Sequence, residues 1–544
     1  MVADLSQFIR NLLCIGFFSS GLSMVCATEL TSDDFYERER VQEIRLTISE
    51  LNLIKMKEAL PQRKYVPATL HWRNFRLENV GVRYKGNSSS RPHQHHKRGY
   101  LIKVNEFKKG KRFLKLRRIA LDNGVQFGSL FSEPIVTDIL RNLEIPASRF
   151  NYANLFINNE YQGVFGNVER IDESFIKRHF GSKKGPLYKV HMPGPGANFS
   201  YEGNDPAQYK KGFEPKNEAA EKSFDELIDL IREIDKDDKP NYEQTLIKHL
   251  MVENFLKTTA VMLFAGCFDQ LTGWNPHNYY LYRNPKTDRW SYIPWDLDVG
   301  FADHAFGNIP VIDGWHAAWP IPGGPPKPIL EKIVSNPILL KKYRETASPI
   351  LEKYFKPDQL HSKIDKLYAL IEKDLVKDPY PAKRITNPRD TGYNDIILSF
   401  KRFIDRRYQL ARQQLDNPGP RPKPNKQNRT RQHQRPAPGD LPNGPTDIVI
   451  ITRTKNSIKL GWKDNADNEA GHIVQRADIE SAGKFRNHIP CPGRSETNAI
   501  DERVSPGETY RYRVYSVFST PNGYAGSKPS KFVVSDPPSI TEKK

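Results

Sequence analysis

Residues 417–440, N-P-G-P-R-P-K-P-N-K-Q-N-R-T-R-Q-H-Q-R-P-A-P-G-D, constrain the fold more than any other part of the chain. Proline lacks a backbone donor and fixes φ, and this stretch holds almost no apolar side chain with which to build a core. It therefore reads as an extended linker over residues 417–444, and the chain must fold as separate bodies on either side of it. The length of 544 residues agrees with two or three domains. The linker's cations offer contact with an anionic surface or polymer, although a stiff soluble spacer is the plainer reading.

Upstream, the hydrophobic period divides the large body in two. Residues 40–165 alternate as strands do: V-Q-E-I-R-L-T-I from Val41, N-V-G-V-R-Y-K from Asn79, Y-L-I-K-V from Tyr100, and Y-A-N-L-F-I-N-N-E-Y-Q-G-V-F from Tyr152, with a tight turn at Asn158-Asn159-Glu160. One helix interrupts them from about Ser132, with Ile135, Ile139, Leu140 and Leu143 on one face and Pro146 beyond its end. From about 170 to 416 the period becomes helical. Phe224, Leu227, Ile228, Ile231 and Ile234 form a stripe, and Leu246–Phe264 reads as one long buried helix. Two short strands break this pattern, Tyr279–Arg283 and Trp290–Trp295, and a final helix covers Asp395–Leu415.

Downstream, residues 445–536 return to short strands. S-I-K-L-G-W ends on Trp462, and Y-R-Y-R-V-Y-S puts Tyr510, Tyr512 and Val514 on one face. A Trp in an early strand and a Tyr opening a late one suit a two-sheet sandwich with a tyrosine corner. This segment resembles a fibronectin type III domain, which implies a spacer or binding surface.

The net charge is +19, from 83 basic and 64 acidic residues. That balance favours phosphates, anionic polymers or acidic proteins as partners without choosing among them, and solvated surface charge accounts for it equally well. No zinc-finger spacing or RNA-binding aromatic pattern marks a specific nucleic-acid module. Arg10, the apolar stretch Leu12–Ala27 and the small residues at Val25-Cys26-Ala27 read as an export signal over residues 1–27. Its cleavage leaves no transmembrane span and only Cys267 and Cys491, which fall in different domains, so no disulfide framework is expected.

The phosphate-loop, nucleophile-elbow and zinc-helix signatures are absent. Chemistry concentrates instead in C-F-D-Q-L-T-G-W-N-P-H-N-Y-Y-L-Y (267–282) and W-S-Y-I-P-W-D-L-D-V-G-F (290–301). If the two strands pair, Asp269 and Asn278 lie near the end from which Asp296 and Asp298 leave. Three carboxylates and an amide suit a hard cation such as Mg²⁺. The plainer alternative has Asp296 capping a turn and Asp298 paired with an arginine.

Seven pieces in order strengthen the first reading: V-R-Y-K-G-N-S-S (82–89), Y-L-I-K-V-N-E (100–106), the run from Leu143 to Phe165, V-E-R-I-D-E-S-F-I-K-R-H-F-G (168–181), P-L-Y-K (186–189), H-N-Y-Y-L-Y (277–282) and I-P-W-D-L-D-V-G-F (293–301). Together they resemble the CotH family of secreted atypical protein kinases, across about residues 40–416. The resemblance implies an α+β, kinase-like bilobal domain with a strand-rich N-lobe and a helical C-lobe, followed by the all-β sandwich. It implies an exported, Mg²⁺-dependent ATP phosphotransferase acting on Ser/Thr hydroxyls of proteins. In that scheme Asp296 holds Mg²⁺, with Asp298 sharing it or bracing the turn. Asp269 orients the acceptor hydroxyl, and Asn278 helps a second metal across a loop longer than ordinary kinases have. Lys103 contacts the α/β-phosphates and Glu133 holds that lysine. Gly86, Asn87 and Ser88 form a phosphate loop, and Glu169 contacts adenine or ribose. Two alternatives remain: a surface or adhesion protein that keeps the fold without turnover, and a D-x-D-type sugar- or nucleotidyltransferase.

Overall fold

The computed structural model describes residues 29–536, apart from 87–96, 125–129, 223, 237–240, 274–275, 306–308, 313–314, 322–325, 381, 383, 385–389, 391, 423–437, 455, 479–484, 492–496, 503, 506 and 521–522. The expected export signal, most of the linker, Asn87 and Ser88 lie outside the described residues.

Alternating burial closes the first body into a barrel. Its strands are β1 (Gln42–Thr47), β2 (Val66–Trp72), β3 (Phe75–Lys85), β4 (Gly99–Lys103), β5 (Arg118–Asp122), β6 (Phe150–Ile157) and β7 (Glu160–Val168). They run in the order β1-β2-β3-β4-β5-β7-β6, and a parallel pairing of β1 with β6 completes the ring. Ile44, Leu70, Val80, Val82, Ile102, Ile119, Leu155 and Phe165 fill its interior. The β6–β7 turn uses Asn158 and Asn159 at positive φ, a conformation asparagine accepts more readily than most residues. Helix α1 (Ser132–Asn142) follows β5 and buries Ile135, Ile139 and Leu140, as its spacing predicts.

The helical half holds α2 (Glu173–Phe180), α3 (Phe224–Lys236), α4 (Val252–Ala265), α5 (Pro337–Tyr354), α6 (Pro357–Leu375) and α7 (Tyr393–Asp416). It also holds a small sheet of β8 (Leu187–Val190), β9 (Glu214–Pro215), β10 (Tyr279–Asn284) and β11 (Arg289–Pro294), in the order β11-β10-β8-β9. A two-residue pair, β12 (His304–Ala305) and β13 (Ile309–Pro310), follows. The helix expected over Leu246–Phe264 is broken. A separate helix ends at His249, Leu250 turns extended to bridge Trp290, and the Met251 amide donates to the Trp290 carbonyl at 2.9 Å before α4 begins. Sheet pairing thus overrides helical continuity at these two residues. Among the described residues no helix is long and apolar enough to cross a membrane.

Beyond the linker lie two antiparallel sheets. One joins β14 (Thr446–Arg453), β15 (Ile458–Lys463) and β18 (Asn498–Asp501). The other joins β16 (Gly471–Asp478), β17 (Arg486–Cys491), β19 (Tyr510–Thr520), β20 (Gly523–Gly526) and β21 (Val533–Ser535). Trp462, Tyr510, Tyr512 and Val514 pack in one core, and the Tyr510 hydroxyl accepts from the Ser505 amide at 2.8 Å. Cys267 and Cys491 are both buried.

Candidate active site

The hairpin β10–β11 supplies the first part of the site. Its register sets Tyr279 against Pro294, and one step further the Trp295 amide donates to the Asn278 carbonyl at 2.9 Å. The Gln270 side chain donates to the Trp295 carbonyl at 2.8 Å, which ties the loop after α4 to the same end. Asn278 and Asp296 both adopt positive φ there. The structure brings Asp269 and Asn278 together although nine residues separate them: Asn278 Nδ2 donates to the Asp269 carbonyl at 3.1 Å and to its Oδ2 at 3.2 Å. His277 Nε2 lies 3.3 Å from that same Oδ2. Motif reading gave His277 no role; its place directly before Asn278 was the available signal.

Helix α1 fixes the backbone between the two aspartates. Ser132 Oγ donates to the Leu297 carbonyl at 2.9 Å, and the neighbouring Leu297 amide dipole favours the charged form of the Glu133 carboxyl. The first residue of α1 therefore holds the carbonyl of the leucine in D-L-D. Gly300 permits this approach, because a Cβ there would lie 2.9 Å from Ser132 Oγ and 3.0 Å from the Ala265 carbonyl.

The lysine at this cluster is Lys85, the last residue of β3. It pairs with Asp122 at the end of β5, and its Nζ lies 3.7 Å from Asp296 Oδ1. Gly99 stands opposite Lys85 on β4, with Leu121 opposite its neighbour Tyr100. With no side chain at Gly99, the lysine crosses β4 to reach Asp122. A Cβ at Gly99 would sit 3.0 Å from the Leu121 carbonyl and 3.5 Å from Lys85 Cβ.

Lys103 does not join the cluster. It lies on the same face of β4 as Gly99 but four residues along it, about 13 Å away in an extended strand. It pairs there with Glu106 at 2.5 Å. The assignment to Lys103 missed the register: the lysine that meets the acids ends the preceding strand, in V-R-Y-K-G. Asp122, in R-I-A-L-D-N-G, was also missed, and its signal was a carboxylate closing an alternating apolar run.

Glu169 is likewise placed elsewhere. Its two oxygens accept from the Arg149 amide, Nε and Nη2 at 3.1, 3.0 and 2.7 Å, and from Arg178 Nη2 at 2.5 Å. Burial opposes its charge, but the arginines outweigh burial and hold the carboxyl below its ordinary range. Held by both arginines, the buried Glu169 carboxylate joins β7 to α2. Gly86 has positive φ, and its carbonyl accepts from Arg63.

Four acids and one paired cation set the electrostatics. Burial works against the charge of Lys85, yet Asp122 and then Asp296 keep its ammonium well above the ordinary range. Burial, followed by the fields of Asp122 and Asp296, pushes Glu133 up to about 8. Asp298 is raised well above the usual carboxylate range by burial, then Asp296, Asp122 and Glu133. No arginine among the described residues pairs with Asp298. This surplus of negative charge is what a bound cation relieves. Among the described residues no three His, Cys, Asp or Glu side chains converge as a metal cage. The donor set fits Mg²⁺ all the same, because that ion commonly takes one or two carboxylates and completes its shell with phosphate oxygens and water.

A barrel set against a helical half, with a lysine and carboxylates between them, defines a kinase-like protein. The CotH kinase protein family matches residues 82–411, more than half of the chain, and the chain belongs to that family. A curated relative, the inner spore coat protein H of Bacillus subtilis (strain 168), is 24% identical over 345 residues, spanning 62% of this chain and 88% of its own. Among solved structures, one described as "Myokine structure" is 16% identical with a TM-score of 0.16, covering 18% of this chain and 100% of its own. An FN3 domain of human collagen XX is also 16% identical with a TM-score of 0.16, covering 18% of this chain and 97% of its own. Similarity at that level carries no argument about the fold.

Proposed function

We propose that the protein is an exported ATP- and Mg²⁺-dependent phosphotransferase acting on protein Ser/Thr hydroxyls. The observation that supports it best is the Lys85–Asp122–Asp296 contact, with Asp269 and Asn278 at the adjoining hairpin end. Asp296, with Asp298 behind it, would hold Mg²⁺, which when bound neutralises phosphate charge. Lys85 brings positive charge to the barrel side, Asp122 holds it, and Ser132 keeps the D-L-D backbone in place. Asp269, oriented by His277 and Asn278, accepts the proton of the acceptor hydroxyl as its oxygen bonds to the γ-phosphorus and ADP leaves. Catalysis by such a site is positioning and charge stabilisation.

The test is transfer of labelled γ-phosphate to a Ser/Thr protein, followed by intact mass. Asp269→Ala, Asp296→Ala and Lys85→Met should each lose about 100-fold or more, while Lys103→Met stays near wild type. Equal incorporation by wild type and the first three variants would sink the reading. An adduct of AMP or sugar mass would point to the D-x-D transferase, and binding of ATP without transfer to a surface protein that keeps the fold.

Export finds support in the N-terminal signal pattern and in the relative's being a spore coat protein. The C-terminal sheets serve, in this reading, as a fibronectin type III-like spacer or binding module, for which the Trp462/Tyr510 core and the Tyr510–Ser505 bond speak.

A further inference from the structure

Lys189 and Arg170, two cationic side chains near Asp296, are left over by this scheme. Lys189, on β8, faces Tyr280 across one strand pairing and Glu214 across the other. Its Nζ lies 5.8 Å from the Tyr280 ring centre and 5.9 Å from that of Trp295. Glu214 is already engaged by Lys216, with His191 Nδ1 at 3.6 Å. Among the described residues, Lys189 Nζ has neither a hydrogen-bond nor an ion-pair partner, although the side chain is only partly exposed. Burial and then Arg170 drive its pKa down to about 7, against the pull of Asp296. Ammonium groups in such surroundings are costly unless an anion joins them.

Arg170 reaches the same place from the segment joining β7 to α2. Its guanidinium lies 4.6 Å over the Trp295 ring, and Nη2 is 3.5 Å from the Tyr280 hydroxyl. Two cations thus rest on one aromatic shelf, beside the aspartate assigned to the metal. Lys85 differs, since Asp122 already claims its ammonium.

We infer that Lys189, with Arg170 beside it, is the seat on the helical side of the candidate site for the anionic oxygens of a polyphosphate chain, the terminal phosphates of a nucleotide. The inference rests on the nucleotide-using reading above and adds the residue that grips the phosphates opposite Lys85. An aromatic shelf keeps the ammonium desolvated, so its contact with a phosphate oxygen is stronger than one made in water.

The test is calorimetric titration of the full chain, wild type, Lys189→Met and Lys189→Arg, with MgATP, Mg-tripolyphosphate and adenosine, with thermal melting to check folding. Lys189→Met should weaken MgATP and tripolyphosphate by about 10- to 100-fold, the loss of one charged hydrogen bond. Adenosine should bind it as it binds wild type, and Lys189→Arg should keep most of the tripolyphosphate affinity. Unchanged tripolyphosphate binding in Lys189→Met overturns the seat, and so does an equal loss for adenosine or a wild type that binds no tripolyphosphate. If wild type binds tripolyphosphate through Lys189 but transfers no phosphate from ATP, the seat stands and the phosphotransferase reading falls.

Discussion

Glu133 shows how one buried side chain reports the charge of the whole site. Its pKa is about 8 in the folded chain against an ordinary value of 4.5, so between those values the folded state binds more protons than the unfolded one. Stability therefore falls as pH rises through that window and levels off above about 8. Asp298, raised for the same reasons, adds to the trend in the same direction. Urea unfolding of metal-free protein at several pH values from 5 to 9 should show this decline, and Glu133→Gln should flatten it. A decline of the same steepness in the variant would mean that Glu133 does not carry the proton. The sequence marked Asp269, Asn278 and Asp296 because each sits in a motif or beside an element end; it also named Glu133 as the group holding Lys103, whereas Lys103 pairs with Glu106. It named Lys103 and not Lys85, because the two lysines share one face of the barrel and only the pairing of β3 with β4 says which meets the acids.

At the scale of elements, the barrel and the helical half are tied by a buried ion pair outside the candidate site. Lys97 Nζ lies 2.5 Å from Asp378 Oδ2, and both side chains are 1% exposed. The Val164 amide donates to that same Oδ2 at 2.9 Å, so the residue just past α6 is sewn to β7. Gly163 has positive φ there, and a Cβ would run into the Asp378 carboxylate. Asn154 on β6 adds a bond to Asp374 at 2.8 Å. Removing one member of a buried pair strands the other charge. Asp378→Ala should therefore cost about 3–5 kcal/mol in chemical denaturation, whereas Lys401→Ala, which breaks an exposed pair with Asp365, should cost under about 1 kcal/mol. Comparable losses for the two would remove the basis for the tie. None of this was legible beforehand, because Lys97 and Asp378 are 281 residues apart and neither lies in a motif.

For the whole molecule, the linker predicts functional independence of the two bodies. The helical half keeps its own contacts as far as Pro418, whose carbonyl accepts from Trp319 Nε1 at 3.0 Å, and Arg421, which pairs with Glu331 at 2.6 Å. A chain ending at residue 422 should therefore transfer phosphate within about twofold of the full chain, as separately folding domains would. A much larger loss in the same assay would show that the C-terminal sheets take part in catalysis. The division of the chain, the strand-to-helix change of period and the acids of D-L-D all follow from the sequence alone. Periodicity and composition act locally, and a proline-rich segment cannot build a core. Which lysine faces Asp296, why Glu169 faces arginines instead, and how Ser132 holds Leu297 depended on the tertiary structure. Those facts turn on strand register and on contacts between residues far apart in the chain, which local pattern does not encode.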